Sequence, residues 1–387
     1  MRHKVTATAI KVMTVVGTRP EAIKMAPVIR ALQRTAGFES SLCVTAQHRE
    51  MLDQMLGAFG LVPDIDLDLM KGRQTLANVT ALVLTKMTAV LKRQRPDWVL
   101  VQGDTTTALA AALAAFYLGI PVGHVEAGLR THDRFEPFPE EVNRRIADAV
   151  STLHFAPTAL AAKNLEREGI AKSSITITGN TGIDALLFVA RSRRRSPVDS
   201  LLQSLRGRRV IVVTAHRREN FGAPLEQICL AIQRLARRFH DVHFVYPVHL
   251  NPNVRRVVFR RLGTTERVTL LDPLDYFDFV KLLNLCTLII TDSGGIQEEA
   301  PSLGKPVFVL RNKTERSEAV AAGVARLVGT DSGRIEQQVA TVLEDSKAFR
   351  RMAKARNPFG DGHASLRIVR ALARRSSGMT AARHLSC

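Results

Sequence analysis

Three carboxylates in the first half of the chain could do acid and base chemistry: Asp104 after the apolar run DWVLVQG, Glu126 after IPVGHV, and Glu140 in FPEEVNR. Carboxylates gathered in one crevice repel as anions, so one can hold a proton near neutral pH while another stays ionised. That divides acid work from base work. Each also has a structural alternative. Asp104 would cap the helix that follows it, and Glu140 would pair with Arg144 four residues on, along a helix beginning after Pro139. The cap becomes a weaker explanation when the next strand also ends in ionisable groups, His124, Glu126 and Arg130.

Cationic and small residues supply the complementary chemistry. In Gly17-Thr18-Arg19-Pro20-Glu21 the glycine permits a tight strand-to-helix turn, exposed helix amides favour an anion, and Arg19 with Lys24 would contact a diphosphate. The alternative is a plain turn carrying a solvated basic pair. GTRPE is neither a Walker sequence nor a GxGxxG fingerprint, which argues against a P-loop kinase or a nicotinamide dehydrogenase. Further along, His216 in TAHRREN and His249 in YPVHLNP each follow an apolar run, where an imidazole can exchange a proton or donate to phosphate. Asp292-Ser293-Gly294-Gly295 lets backbone approach a ligand at a helix start. Of Glu298 and Glu299 behind it, one would accept from ribose hydroxyls while the other faces solvent. Arg316 and Glu318 lie close by in TERSEA. Together these make a nucleotide-sized site, and no histidine and acid spacing matches a metal set, so no metal is expected.

These side chains need strands and helices to present them. IKVMTVVG (10–17), SSLCVTAQ (40–47), DWVLVQGD (97–104) and IPVGHVEAG (120–128) read as strands, with helices after the first and around 107–117. Pro27 would kink the first helix or reset its start. A second set follows at 209–214, 242–249, 268–273, 287–295 and 305–310, each run ending in polar, glycine or proline residues. Alternating strands and helices predict α/β architecture, as two Rossmann-like domains facing a cleft with ligand groups beyond the C-terminal strand ends. The expected division is 1–178, 179–365 and a terminal helix in 366–387 that either closes the second domain or packs back on the first. The last dozen residues are expected to fray.

Composition agrees. The 387 residues are 45% hydrophobic but only 5% aromatic, an aliphatic mass suited to parallel sheets covered by helices. The 55 Lys and Arg against 36 Asp and Glu give a net charge of +19, which attracts anions. Nucleic acid is one such partner, yet there is no reading helix, zinc pattern or stacking platform, and the arginines fall in short solvated groups. Cys43, Cys229, Cys286 and Cys387 lie far apart without a CxxC, as expected of thiols in a reducing cytoplasm. No apolar run approaches the roughly 20 residues that span a bilayer, so no membrane insertion is expected.

At these residues the sequence closely resembles the non-hydrolysing UDP-N-acetylglucosamine 2-epimerases. The matching segments include GTRPEAIKMAP (17–27), VTAQHREMLDQ (44–54), GDTTT (103–107), PVGHVEAGLRT (121–131), FPEEVNR (138–144), TGNTGIDAL (178–186), AHRRENFG (215–222), YPVHLNPNV (246–254), TDSGGIQEEAPSLGKPV (291–307) and NPFGDGHA (357–364). The resemblance implies two Rossmann-like domains in a GT-B-like arrangement, UDP bound in the interdomain cleft, a homodimer, and no NAD or metal. It implies interconversion of UDP-N-acetylglucosamine and UDP-N-acetylmannosamine, by anti elimination of UDP through 2-acetamidoglucal and readdition, with allosteric activation by UDP-N-acetylglucosamine in several members.

Carried over residue by residue, Asp104, Glu126 and Glu140 match the catalytic carboxylates and His216 the essential histidine beside UDP. Arg19, Lys24, Ser293, Gly294 and Arg316 look like substrate and UDP contacts, with Glu299 as the ribose acceptor. Gln47, Arg73, Glu140 and His249 would belong to the allosteric site. Two positions depart from the family pattern: Gln102 stands where members commonly have histidine, and Ser317 where TERPE has proline. A hydrolysing epimerase, a glycosyltransferase and a basic nucleic-acid binder are the competing readings. The long two-domain match without a sugar-kinase segment, and a carboxylate set suited to transforming the donor sugar itself, favour the non-hydrolysing epimerase.

Overall fold

A computed structural model describes residues 9–45, 49–69 and 74–384. The chain divides into two compact units, the first comprising residues 1–185 and 359–387, the second 186–358. The first unit holds seven parallel strands: β1 (Ile10–Val16), β2 (Phe38–Val44), β3 (Ile65–Asp66), β4 (Trp98–Gln102), β5 (Val122–Val125), β6 (Leu153–Ala156) and β7 (Ile175–Ile177). Their order is β3-β2-β1-β4-β5-β6-β7. The second unit holds β8 (Arg209–Thr214), β9 (Val242–Pro247), β10 (Val268–Leu271), β11 (Leu288–Thr291), β12 (Val307–Val309) and β13 (Ala325–Leu327), again all parallel, in the order β10-β9-β8-β11-β12-β13.

Both sheets reverse their strand order once, beside β1 and beside β8. In doubly wound sheets ligands bind at this point, outside the carboxyl ends of the strands. The central strands are buried on both faces, as near-continuous aliphatic runs require when helices cover both sides. Buried and exposed positions therefore do not alternate there, and β4 buries all five of its residues. One core packs β1, β4 and β5 against the helices Leu76–Gln94 and Thr106–Tyr117, and another packs β8, β9 and β11 against the helix Ala223–Arg238. The Thr106–Tyr117 helix is alanine-rich because it lies sunk between strands and neighbouring helices, where larger side chains would not fit.

Local differences from the sequence reading have physical causes. The helix Arg19–Arg34 runs through Pro27 without stopping, held by Ile23, Met25, Val28, Ile29 and Leu32 buried on one side. β5 ends at Val125 instead of 128, because Glu126 (φ +67°) and Gly128 (φ +84°) turn the backbone into the left-handed region. As far as His384 the last dozen residues do not fray as expected, since the final helix runs from Ala364 to His384. It packs on the Arg19–Arg34 helix in the first unit, and Ser376 Oγ accepts a buried bond from Trp98 Nε1 at 2.9 Å.

The return of the chain is fixed at its start. Asp184 accepts from the Ala364 amide (3.1 Å) and from the amide (2.9 Å) and hydroxyl (2.6 Å) of Ser365, capping the final helix. Gly179 and Gly360 cross so closely that a Cβ on Gly179 would lie 3.2 Å from Gly360 Cα. Cys43, Cys229 and Cys286 are buried and unpaired, and burial pushes their thiols up to about 12. Among the described residues no helix is long and apolar enough to cross a membrane.

Candidate functional site

In the first unit, the end of β1 turns at Gly17 into the Arg19–Arg34 helix. Glycine is needed for close approach: a Cβ here would lie 2.3 Å from Thr107 Oγ1 and 2.6 Å from Thr45 Oγ1. Thr18 and Glu21 form a capping box. The Glu21 carboxylate accepts from the amides of Gly17 (2.9 Å) and Thr18 (2.7 Å) and from the hydroxyls of Thr18 (2.8 Å) and Thr105 (2.7 Å). Burial nevertheless raises its pKa above the ordinary range. The turn is therefore already occupied by the chain's own carboxylate, and its amides are not the open anion site that the sequence suggested. Arg19 beside it makes no ion pair with a described residue.

Lys24, one turn on, reaches Glu126. Its Nζ lies 2.7 Å from Oε1 and 2.5 Å from Oε2, and Gln102 Nε2 donates to the same Oε2. In this structure Lys24 thus partners a carboxylate of its own unit. A left-handed, non-glycine backbone is costly, and at Glu126 it turns the side chain across the sheet end toward Lys24 and Gln102.

Asp104 does not cap the following helix. That cap is Thr105, whose hydroxyl accepts from the Ala108 amide at 3.0 Å. Instead Arg144 Nη2 donates to Asp104 Oδ2 at 2.5 Å and Asn143 Nδ2 donates to the Asp104 carbonyl at 2.9 Å. The Glu140–Arg144 bridge, the structural alternative for Glu140, does not form, and Arg144 Nη1 lies instead 3.5 Å from Glu141 Oε2. Glu141, fully buried, accepts from the amides of Thr131 and His132 and shapes that loop. Glu140 is left with Oε2 buried and without a hydrogen-bond partner. It is a carboxylate that gains a partner by holding a proton or meeting a ligand.

Beneath these groups lies a buried ionic network. His124 Nδ1 is 2.6 Å from Asp148 Oδ1 and its Nε2 is 2.7 Å from the Gly103 carbonyl. Both partners accept, so both ring nitrogens donate and the imidazole is cationic. Burial opposes this charge, but Asp148 and the Gly103 carbonyl outweigh it and hold His124 above its usual range. Burial likewise opposes the Asp148 anion, yet His124 and Arg130 (Nη2 to Oδ2, 2.7 Å) hold it below the carboxylate range. The network thereby grips Gly103, whose φ of +69° directs Asp104. Asp148 was missed by sequence reasoning. A signal existed: Glu141, Arg144 and Asp148 recur at i, i+3, i+7 on one helical face and all are buried.

A pH dependence follows. Stability from the raised His124 is fully present below its unfolded pKa of about 6.5 and is lost as pH rises through its higher folded value. That from Asp148 is present above about 3.9 and is lost as pH falls through its lower folded value. The melting-temperature gap between the native protein and His124→Gln is therefore expected to narrow as pH rises from 6 toward 9. A gap that stays constant in thermal melts would refute the cationic assignment.

In the second unit, β8 leads to His216 and β11 to Asp292. Asp292 is fully buried, and its Oδ2 accepts from the amides of His216 (2.8 Å) and Arg217 (2.9 Å) and from Asn220 Nδ2 (2.9 Å). His216 Nδ1 lies 3.2 Å from Asp292 Oδ1 without the alignment of a hydrogen bond, and the ring stacks on His249 with centroids 5.6 Å apart. Burial first, then His249 and Arg217, outweigh Asp292 and hold His216 below the ordinary histidine range, so it is neutral near pH 7. Asp292 is the positioning group that the sequence reading passed over in favour of its small neighbours.

Ser293 precedes the short helix Gly294–Glu299 and makes no side-chain cap, leaving the first amides uncapped by the protein. Arg316 packs over Gly294, where a Cβ would lie 3.2 Å from its Cζ. Arg316 Nε donates to Glu298 Oε1 at 2.7 Å. Glu298 is therefore buried in an ion pair and does not face solvent as expected, while Glu299 is half-buried. Ser317 begins the helix Ser317–Ala321, a first-turn position where serine and proline both fit, so this departure leaves the turn intact. His249 is exposed, and Gln47 and Arg73 lie outside the described residues. Among the described residues no three His, Cys, Asp or Glu side chains group as metal ligands.

Two Rossmann-like units, one with Asp104 and Glu126 beyond the ends of the adjacent strands β4 and β5, and one with His216 beyond β8 and a serine–glycine turn beyond β11, fit an enzyme of the nucleotide-sugar class. The sequence pattern of the UDP-N-acetylglucosamine 2-epimerase family matches residues 30–373. UDP-N-acetylglucosamine 2-epimerase of Escherichia coli (strain K12) is 53% identical over 94% of this chain and 98% of its own. A crystal structure of the putative enzyme from Listeria monocytogenes superposes with a TM-score of 0.91 at 45% identity, covering 96% of this chain and 98% of that one. The Neisseria meningitidis enzyme, solved bound to UDP-GlcNAc, gives 0.83 at 47% identity, covering 94% and 100%. The chain belongs to the UDP-N-acetylglucosamine 2-epimerase family, in its non-hydrolysing group.

Proposed function

We propose that the chain interconverts UDP-N-acetylglucosamine and UDP-N-acetylmannosamine by anti elimination of UDP, through bound 2-acetamidoglucal, and readdition of UDP with a proton on the opposite C2 face. The observation that carries this reading is the unequal dressing of the three carboxylates. Glu126 receives an ammonium and an amide donor and stands as an anion, suited to accept the C2 proton. Glu140, with its orphaned oxygen, suits the proton-holding partner on the other face. Asp104 is turned toward Arg144. The C2 hydrogen is weakly acidic because it is not alpha to a carbonyl, so its loss is coupled to departure of UDP from C1.

Arg19, Ser293, Gly294 and Arg316 contact the diphosphate and uridine side, with Glu299 as ribose acceptor. Neutral His216 takes up a proton as the anionic diphosphate arrives, since a nearby negative charge favours the imidazolium. Lys24 sets the charge of Glu126 instead of reading phosphate directly. The reaction runs in the cytoplasm and draws on the chain's own groups, without NAD. Glu140 and His249 belong also to a regulatory site for the substrate. The exposed rings of Phe116 (54%) and Tyr117 (65%) support a homodimer.

Proton NMR in D₂O with UDP-N-acetylglucosamine and no added metal or NAD tests the reading. C2-deuterated UDP-N-acetylmannosamine should accumulate to equilibrium with the UDP linkage intact. Free N-acetylmannosamine and UDP would replace it with hydrolysis, and unchanged substrate with confirmed UDP binding would replace it with glycosyl transfer.

A further inference from the structure

Gln102 closes β4, is 3% exposed, and sits in register beside Val125, the residue before Glu126. Its side chain therefore meets the Glu126 carboxylate at the sheet end. A carboxylate only accepts, so the amide turns its NH₂ toward Oε2, and that oxygen takes donors from both Gln102 and Lys24. The two donors do different things. Lys24 offers a point charge on a flexible four-carbon stem, which neutralises Glu126 without fixing its angle. The terminal torsion of a glutamate is broad and permits rotation. A planar amide buried in a strand end is fixed by packing, and fixes the carboxylate in turn. Glutamine also stays uncharged at every working pH, whereas an imidazole in the same place changes its charge near neutrality.

We propose that Gln102 is a positioning residue for the C2 proton transfer, holding the Glu126 carboxylate in the orientation that receives the proton. This rests on the reading of Glu126 as the proton acceptor. Reaction rates are steep in such geometry, and a carboxylate off by about an ångström can lose about a hundredfold in rate. The contact itself is one charge-assisted hydrogen bond, whose loss corresponds to about a tenfold change.

The test compares the native chain with Gln102→Met, which keeps the length and removes the donor, and Gln102→His, which restores an N–H. The Met variant should show kcat about tenfold lower, KM within about twofold, and a larger primary isotope effect with C2-deuterated UDP-N-acetylglucosamine, because C–H cleavage becomes the slower step. The His variant should recover most of kcat. UDP affinity, read by calorimetry, should be unchanged in both and reports that the second unit is intact. A Met variant with native turnover, or one that is slow with an unaltered isotope effect and no recovery in the His variant, overturns the proposal. If the native chain itself fails to exchange the C2 hydrogen, the epimerase reading falls instead.

Discussion

Glu126→Gln should lower kcat by about 10³-fold while UDP affinity stays within about twofold, which places the loss in the chemical step. The substitution keeps the size of the side chain and removes the anionic group that Lys24 and Gln102 share. An amide cannot accept the C2 proton, and its NH₂ would point at one of the two donors that now face the carboxylate. Lys24 then loses its Glu126 counterion, a further cost where the original carboxylate side chain is only 7% exposed. UDP affinity is the control because, apart from Arg19, the groups assigned to UDP (His216, Ser293, Gly294, Glu299 and Arg316) lie in the other unit. Turnover within tenfold of native, measured by C2 exchange and by product formation, would remove Glu126 from the role of base. The same comparison with Glu140→Gln separates the faces: a protonated carboxyl and an amide both donate, so Glu140→Gln should retain UDP binding and lose reprotonation.

Gly128→Ala carries the largest expected effect on the fold. Gly128 has φ +84°, and a Cβ would lie 2.3 Å from the Ala161 carbonyl oxygen, 2.8 Å from its carbon and 2.8 Å from Leu165 Cγ. The first two are backbone atoms of the Ala159–Arg167 helix and cannot swing aside. The left-handed backbone costs about 1–2 kcal/mol for a non-glycine residue, and overpacking adds about 1–3 kcal/mol. The sum, roughly 4 kcal/mol, falls in the range reserved for specific structural faults. It corresponds to a fall in melting temperature of about 10 °C for a unit of this size. Activity should fall as well, since Gly128 follows Glu126 by two residues and its amide donates to Asp148 at 3.3 Å. A variant melting within about 2 °C of native would show that the helix can retreat. By contrast, Gly103→Ala meets no atom within 4 Å and tests the left-handed backbone alone, with a smaller expected loss.

Much of this protein was legible in the chain itself. Apolar runs ending in glycine, acid or histidine required parallel strands, because only a sheet covered on both faces buries such runs and only its carboxyl ends leave polar groups to a ligand. Gly17, Asp104, Glu126 and His216 were visible on that ground and Glu140 by its place at a helix start, whereas the capping box in which Thr18 and Glu21 meet was not foreseen. The sequence could not decide which of several nearby partners each charge takes. Glu21 fills the amides that looked open, Lys24 turns to Glu126, Arg144 leaves Glu140 for Asp104, and Glu298 closes on Arg316. His124 becomes a cation only because Asp148, 24 residues away, and the Gly103 carbonyl converge on its two nitrogens. Residue type and period are local properties and survive in one dimension. Ion pairing and protonation depend on distances of a few ångströms and on burial, and these exist only once strands distant in sequence have been laid side by side.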